Sequence, residues 1–281
     1  MLKQIKFRKY PAGLPLLILT FLIFGSINLL KAQQAAAVQE EQLKLSLQLR
    51  PRAELRNGIF TPQLTTQNFA AFISQRNRIG INYSKGNKIT LGLQFQVINV
   101  WGKDPQIQQS SNDVSLFEAW AQIYLQRNLQ LKVGRQVLSY DDERILGALD
   151  WNNAGRKHDA ALIKYKKGKF KADIALAYNQ NSERINGTFF NDSIGQPYKS
   201  MEFVWAEYVM TNTVSFSGLV MNIDKQNRTD SLLSHLQTIG VNAFLKNQKI
   251  SATASFYYQT GRANLKPDVL QKTSAWMGSV Y

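Results

Sequence analysis

The chain has 281 residues, no cysteine and a formal net charge of +15 at pH 7, with 44% apolar and 19% charged residues. This composition excludes a disordered chain, a disulfide-bonded scaffold and a cysteine-based zinc site. Only one stretch, at the N-terminus, is apolar for long enough to cross a bilayer as a helix, so a polytopic helical membrane protein is excluded as well.

Residues 1–32 have the organisation of a secretory signal peptide. The basic start contains Lys3, Lys6, Arg8 and Lys9. An apolar run over 14–30 follows, and Ala32 supplies the small residue before the cleavage point. This pattern predicts export with cleavage after Ala32. The alternative is a retained anchor helix, which the short apolar run disfavours.

Period-two alternation is the main pattern of residues 33–281, which we interpret as one domain. In segment 43–56, leucines occupy one parity and every charged residue falls on the other. A helix would mix these two sets on one face, so the pattern favours a β-strand. Weaker forms of it predict twelve strands in all: 43–56, 69–83, 89–98, 116–126, 129–133, 156–166, 170–178, 201–210, 214–223, 238–245, 250–259 and 273–281.

The connections between these strands are alternately short and long. The short ones carry Gly or Asn and polar residues, as tight hairpins require: 84–88, 127–128, 167–169, 211–213 and 246–249. The long ones are 57–68, 99–113, 139–155, 179–200, 224–237 and 260–272. Short turns on one rim and long loops on the other are typical of an antiparallel transmembrane β-barrel of the outer membrane. Its apolar faces would meet lipid and its polar faces would line a wet lumen.

Arginines are concentrated on the polar faces of the first two predicted strands. The first strand carries Arg50, Arg52 and Arg56 with Glu54, and the second carries Arg76 and Arg78. Guanidinium groups stay charged and present a planar fork that matches carboxylate or phosphate. The cluster therefore predicts a lumen that attracts anions. The alternative is that these charges pair across strands and only support the barrel.

The connection 139–155 contains an acidic run, Asp141, Asp142 and Glu143. Carboxylate oxygens could hold Ca²⁺. The neighbouring basic residues favour ion pairing instead: Arg135, Arg144, Arg156 and Lys157. A loop that carries both signs could also fold into the lumen as a constriction or gate.

Signals for other function classes are weak. His158 beside Asp159, or His235, could belong to an outer-membrane enzyme, but no nucleophile motif accompanies them. The spacing predicts no catalytic residue, no metal site and no cofactor. The basic residues are spread over strand faces and turns, which disfavours nucleic-acid binding.

Several stretches resemble the alginate export family of outer-membrane β-barrels. They are LRPRAELRNG (49–58), SQRNRIGINY (74–83), LFEAWAQIYL (116–125), KVGRQVLSYDDERILGALDW (132–151) and GRKHDA (155–160). The resemblance implies a barrel of about 18 strands with an arginine-lined constriction that passes a polyuronate. Carried over by motif, the pore-lining candidates are Arg50, Arg52, Glu54, Arg56, Arg76, Arg78, Arg135 and Arg144, with Asp141, Asp142 and Glu143 as loop or constriction residues.

Arg135 fits this set least well, because simple parity from Val133 points it at lipid. Either a bulge at Gly134 re-aims the side chain, or it lies near the rim. The strand count also falls short of the family barrel, so we expect the barrel in 33–281 to be incomplete at its C-terminus.

The hypothesis from sequence is therefore an outer-membrane channel for an anionic polysaccharide or oligosaccharide. Its partners would be that polymer, outer-membrane lipid and possible periplasmic export proteins, without nucleic acid. A general anion-preferring porin is the nearest alternative. An outer-membrane enzyme or a structural barrel is the alternative of another class.

Overall fold

The computed structural model describes residues 41–58, 68–104, 106, 114–188, 190, 197–226, 233–266 and 269–281. The predicted signal peptide lies outside these residues. Residues 41–281 form one compact unit. No helix in the described part of the chain is long and apolar enough to cross a membrane.

The described strands form one antiparallel sheet whose order follows the chain from β1 to β12. Their bounds are β1 Glu41–Arg56, β2 Ala70–Lys85, β3 Ile89–Val100, β4 Val114–Gln126, β5 Leu129–Gln136, β6 His158–Lys167, β7 Phe170–Tyr178, β8 Ser200–Val209, β9 Val214–Gln226, β10 Leu233–Lys246, β11 Ser251–Lys266 and β12 Val269–Val280. Each strand pairs with its neighbour in sequence, as hairpin connections require. The all-β antiparallel prediction is confirmed.

The predicted bounds of the last two long connections are wrong. β9 extends to Gln226 and β10 begins at Leu233, while β11 extends to Lys266 and β12 begins at Val269. Backbone pairing therefore continues through residues that were interpreted as loops. Both faces of these strand ends are rich in polar residues, so they lack the alternation from which the strands were predicted.

One face of the sheet is apolar and exposed. Leu43, Leu45 and Leu47 of β1 are all more than 60% exposed. Ile163, Ile174 and Val204 are paired in a row across β6, β7 and β8, and all three are exposed. Exposed apolar rows of this kind fit a lipid-facing surface.

The opposite, inner face changes character along the sheet. In β2 and β3 it carries buried polar residues such as Arg76 and Gln96, whereas in β6–β9 it carries an apolar cluster. The strand members of that cluster are Ala160, Leu162, Ala175, Ala177, Met201, Phe203, Trp205, Leu219 and Met221. The alternation in the sequence is weaker past Met201, because the inner faces of β8 and β9 are also apolar, with Met201, Phe203, Leu219 and Met221 in the cluster.

A bulge changes the direction of one aromatic residue. The pairing of β3 with β4 shifts so that Gln94 faces Glu118 and Phe95 faces Leu116, which leaves Phe117 as the extra residue. Simple parity within β4 puts Phe117 with Ala119 and Ala121 on the lipid-facing side, but Phe117 is buried, with the Arg78 guanidinium carbon 3.7 Å from the centre of its ring. The bulge therefore adds an aromatic platform to the arginine-bearing face.

Candidate functional site

Residues 137–157, which connect β5 to β6, fold onto the inner face of the sheet. Their first half is held mainly by apolar packing. Leu138 and Leu146 are buried in the same cluster as the inner-face residues of β6–β9. The Tyr140 ring lies 5.2 Å from that of Phe203 and 5.0 Å from that of Trp205. We call residues 138–146 the anchored half of the connection.

Two residues of the acidic run accept hydrogen bonds from strands that lie far along the sheet from β1 and β2. Asp141 accepts hydrogen bonds from Trp205 Nε1 at 2.9 Å and Ser217 Oγ at 2.5 Å. Asp142 accepts from Ser255 Oγ at 3.1 Å and Tyr257 OH at 3.2 Å. The two carboxylates thus hold the connection against β8, β9 and β11.

Burial has an electrostatic effect on this half. Removal from water raises the pKa of the Asp141 carboxyl, although the hydrogen bonds from Ser217 and Trp205 act in the opposite direction. Arg144 pairs with Asp142 through Nε at 2.7 Å, and Ser139 donates to Glu143 at 2.5 Å. Within the described residues, no group of three or more acidic, His or Cys side chains is arranged to hold a metal ion.

The second half of the connection lies against the arginines of β1 and β2. Arg50 donates to the carbonyl oxygens of Asp150 at 2.6 Å and Asn152 at 3.2 Å. Arg52 donates to the carbonyl of Trp151 at 2.7 Å, and Gln96 of β3 donates to that of Ala154 at 3.2 Å. We call residues 150–154 the bound segment. Most of its backbone oxygens accept hydrogen bonds from side chains of β1–β3, and we call the inner face of these three strands the wall.

Asp150 lies among three guanidinium groups. Its Oδ1 is 2.8 Å from Arg76 Nη2 and 3.6 Å from Arg78 Nη1, and its Oδ2 is 3.6 Å from Arg50 Nη1. Burial alone would raise the pKa of Asp150, but the hydrogen bond from Arg76 and the nearby charges hold it below its ordinary value. We call Arg50, Arg76 and Arg78 the guanidinium cluster. It carries two more positive charges than its one acidic partner neutralises.

The remaining predicted residues of β1 form a separate ion-pair group. Arg52 Nε donates to Glu54 Oε1 at 2.7 Å, and Arg56 Nε donates to Glu54 Oε2 at 2.8 Å. Arg52 also donates to the Trp151 carbonyl, so it connects this ion-pair group to the bound segment. The arginines of β1 and β2 are therefore brought together on the inner face, at one end of the two strands.

Arg135 lies apart from this group. It is directly opposite Ala119 and Asp159 in the sheet, and it shares the outward parity of the exposed Val133. Its fork binds Asp159 with distances of 2.8 Å and 2.9 Å. The ladder stays in register at Gly134, so no bulge re-aims the side chain. Arg135 is the last residue but one of β5, and the ion pair near the strand end avoids an unpaired charge in lipid.

Sequence reasoning missed several residues of this site. Asp150 lies inside the stretch 132–151 that resembles the family, but one carboxylate near the end of a long connection carries no local pattern. Gln48 accepts from Arg76 Nε at 3.0 Å, and Gln96 accepts from Arg78 Nε at 2.7 Å. Their polar parity was visible, but the pairing needed the strand register.

Both histidines have structural partners. His158 Nδ1 lies 2.7 Å from the Tyr198 hydroxyl, and the two rings are stacked. His235 Nδ1 lies 2.7 Å from Asp224 Oδ1. Neither of these contacts supplies a nucleophile such as serine.

A glycine substitution tests whether the bound segment needs its close approach to the wall. Gly155 has φ +66°, and an added Cβ would lie 2.8 Å from Arg78 Nη2 and 3.0 Å from the Phe117 ring. Gly155→Ala should lower the free energy of unfolding by about 2 kcal/mol, from backbone strain plus the clash. Gly187→Ala is the matched control, because φ is +79° there and nothing lies within 4 Å. Urea titration of the refolded proteins measures both, and equal losses would show that the close approach is unimportant.

Comparisons with known proteins give one family match and several similar folds for this chain. The family model described as alginate export matches residues 41–280. No curated protein gives a significant match. The Acinetobacter baumannii protein OccAB4 is 13% identical with a TM-score of 0.50, over 87% of this chain and 65% of that one. The chain therefore spans less than two thirds of that structure.

Two other similar structures have lower scores. The loop L8 deletion mutant of OmpT, an outer membrane protein of Vibrio cholerae, is 11% identical with a TM-score of 0.39, over 86% of this chain and 87% of that one. Salmonella typhi OmpF, solved in complex with daunomycin, is 10% identical with a TM-score of 0.40, over 86% of each chain. The fold is that of outer-membrane β-barrels, and the match over nearly all described strands shows that the chain belongs to the alginate export family.

Proposed function

We propose that the protein is an outer-membrane channel that passes an anionic polysaccharide or oligosaccharide, such as an alginate-like polyuronate. The observation that carries this proposal is the guanidinium cluster on the inner face, which meets an inward-folded connection and forms ion pairs with one acidic residue of the described chain, Asp150. Family membership supports the class of function.

The arginines are spaced to favour a chain-like anion. Arg50 and Arg52 are two residues apart on β1, and Arg76 and Arg78 are two residues apart on β2. Side chains on one strand face repeat about every 7 Å, so the strands present a ladder of positive charges. Guanidinium groups bind carboxylates through paired hydrogen bonds, and a ladder lets a polymer exchange one contact for the next.

A cavity of ≈ 460 Å³ lies on the short-turn side of the anchored half. Its charged lining residues are Asp141, Lys164, Lys166, Lys171, Asp173 and Glu207. Two of these lysines are neutralised, because Lys164 pairs with Asp173 and Lys171 pairs with Glu207, each at 2.5 Å. We interpret the cavity as a wet space on the inner face beside the anchored half.

The engagement of the arginines with the bound segment favours one alternative. Side chains that hold a loop in place are less free to bind a polymer, so the channel could be a general anion-preferring porin. Both readings place the protein in the outer membrane with its apolar face in lipid. They differ in whether a polyanion binds at the constriction or only diffuses past it.

Conductance of the complete reading frame in a planar bilayer distinguishes these readings. A KCl gradient gives the ion selectivity, and oligouronate is then added at rising concentration, with a neutral oligosaccharide of equal length as the control. We expect anion selectivity and a concentration-dependent block by oligouronate alone. Anion selectivity without block would favour the general porin. A folded protein that does not conduct would contradict both readings.

A further inference from the structure

We infer that the bound segment, residues 150–154, occupies the guanidinium cluster as an internal ligand and that the anionic polymer displaces it. The inference rests on the proposed function and adds a regulation to it. In the structure, the cluster binds one carboxylate and the backbone oxygens of Asp150 and Asn152, which are oxygen acceptors of the kind that a polyuronate would present.

The cluster holds the segment without satisfying its own donors. Arg50 Nε and Arg78 Nη2 are buried and have no hydrogen-bond partner in the described residues. Three guanidinium groups face one carboxylate, and two of its three contacts are 3.6 Å long. A buried donor without a partner is costly, so a ligand with more carboxylates would complete the site better than Asp150 does.

The segment has little apolar attachment to the wall. The side chain of Asp150 is 63% exposed, and Trp151 is 72% exposed although it is the largest apolar residue of the segment. The contacts of the segment with the wall are mainly polar and can be replaced by those of another anion. The anchored half differs, because Leu138 and Leu146 are buried in the apolar cluster.

The ends of the segment have backbone conformations suited to a hinge. Leu149 precedes it with φ +50°, and Gly155 follows it with φ +66°. A positive φ at leucine is strained and must be held by surrounding contacts. Release from the cluster would let Leu149 return to an ordinary conformation, so displacement at this end relieves strain while the anchored half stays in place.

A spin label reports the movement of the segment directly. The chain contains no cysteine, so Trp151→Cys gives one labelling site. In the refolded full chain, we expect oligouronate to increase the mobility of a nitroxide at position 151, over the same concentration range that blocks conductance. A label at Glu143→Cys, in the anchored half, should not change. A neutral oligosaccharide should change neither label.

Asp150→Asn tests the competition by weakening the internal ligand instead of adding an external one. The loss of one partly exposed ion-pair partner should lower the half-blocking oligouronate concentration by about two- to fivefold and raise the label mobility before any ligand is added. Glu143→Gln removes the same charge without touching the cluster, because Glu143 binds Ser139, and should leave the label unchanged.

The outcomes separate this inference from the proposed function. Block by oligouronate without any change at position 151 would overturn the internal-ligand inference and leave the channel proposal standing. An absence of both block and label change would overturn both. Equal behaviour of Asp150→Asn and Glu143→Gln would show that only the overall charge matters, which also contradicts the inference.

Discussion

The double variant Arg76→Gln/Arg78→Gln should lose most of its anion selectivity and raise the half-blocking oligouronate concentration at least about tenfold, equivalent to about 1.4 kcal/mol. Arg76 is completely buried and binds Asp150, Gln48 and two backbone carbonyls of the bound segment. Arg78 is stacked on Phe117. Removing both charges leaves Arg50 as the only cation paired with Asp150 among the described residues, so the pair becomes neutral and the attraction for a polyanion falls.

Two controls make this prediction specific. Arg184→Gln removes an arginine from an exposed stretch of a long connection and should leave the block unchanged. Arg76→Lys keeps the charge but not the planar fork, so its block should be intermediate. A double variant with unchanged selectivity and block would show that the cluster only supports the connection.

Ile174→Arg should destabilise the folded protein in lipid by about 2–4 kcal/mol. Ile174 is the middle residue of β7, lies between Ile163 and Val204 in the sheet, and is 52% exposed on the apolar face. An arginine there would have to bury its charge in hydrocarbon without a partner, unlike Arg135 with Asp159. Urea titration in phosphatidylcholine vesicles measures the change.

Ile185→Arg is the matched control for this substitution. Ile185 is 98% exposed in the connection between β7 and β8, where an arginine stays in water. We expect a change of less than about 0.5 kcal/mol there. Equal effects at the two positions would contradict the assignment of the apolar face to lipid.

The strands could be predicted because successive side chains of a barrel strand face lipid and water in turn, so apolar and polar residues alternate in the sequence. Segment 43–56 shows this most clearly, and β1 spans Glu41–Arg56. The prediction was poorest where that environment is absent. The facing ends of β9 and β10 and of β11 and β12 carry polar residues on both parities, so they lack an alternating signal. β7 was predicted with its observed bounds, although Ala175 and Ala177 of its inner face belong to the apolar cluster.

The candidate site shows the same limit at the level of single residues. Parity placed Arg50, Arg52, Arg76 and Arg78 on one face, because each follows from the strand period. It could not place Phe117, whose direction depends on a bulge set by pairing with β3. It also could not select Asp150 from the other acids, since its partners lie 72 or more residues away in the chain.

The sequence by itself determined the strand period, the apolar outer face, the concentration of arginine on β1 and β2 and the resemblance to the alginate export family. These properties follow from the order of residues within short segments of the chain, so they can be recognised without knowing which strands are neighbours. Only the tertiary structure decided that residues 137–157 fold inward, that their acidic run binds β8, β9 and β11, and that Asp150 lies within the guanidinium cluster. Those contacts join residues that are distant in the chain, and the free energy that selects them depends on which side chains the curved sheet brings within hydrogen-bonding distance.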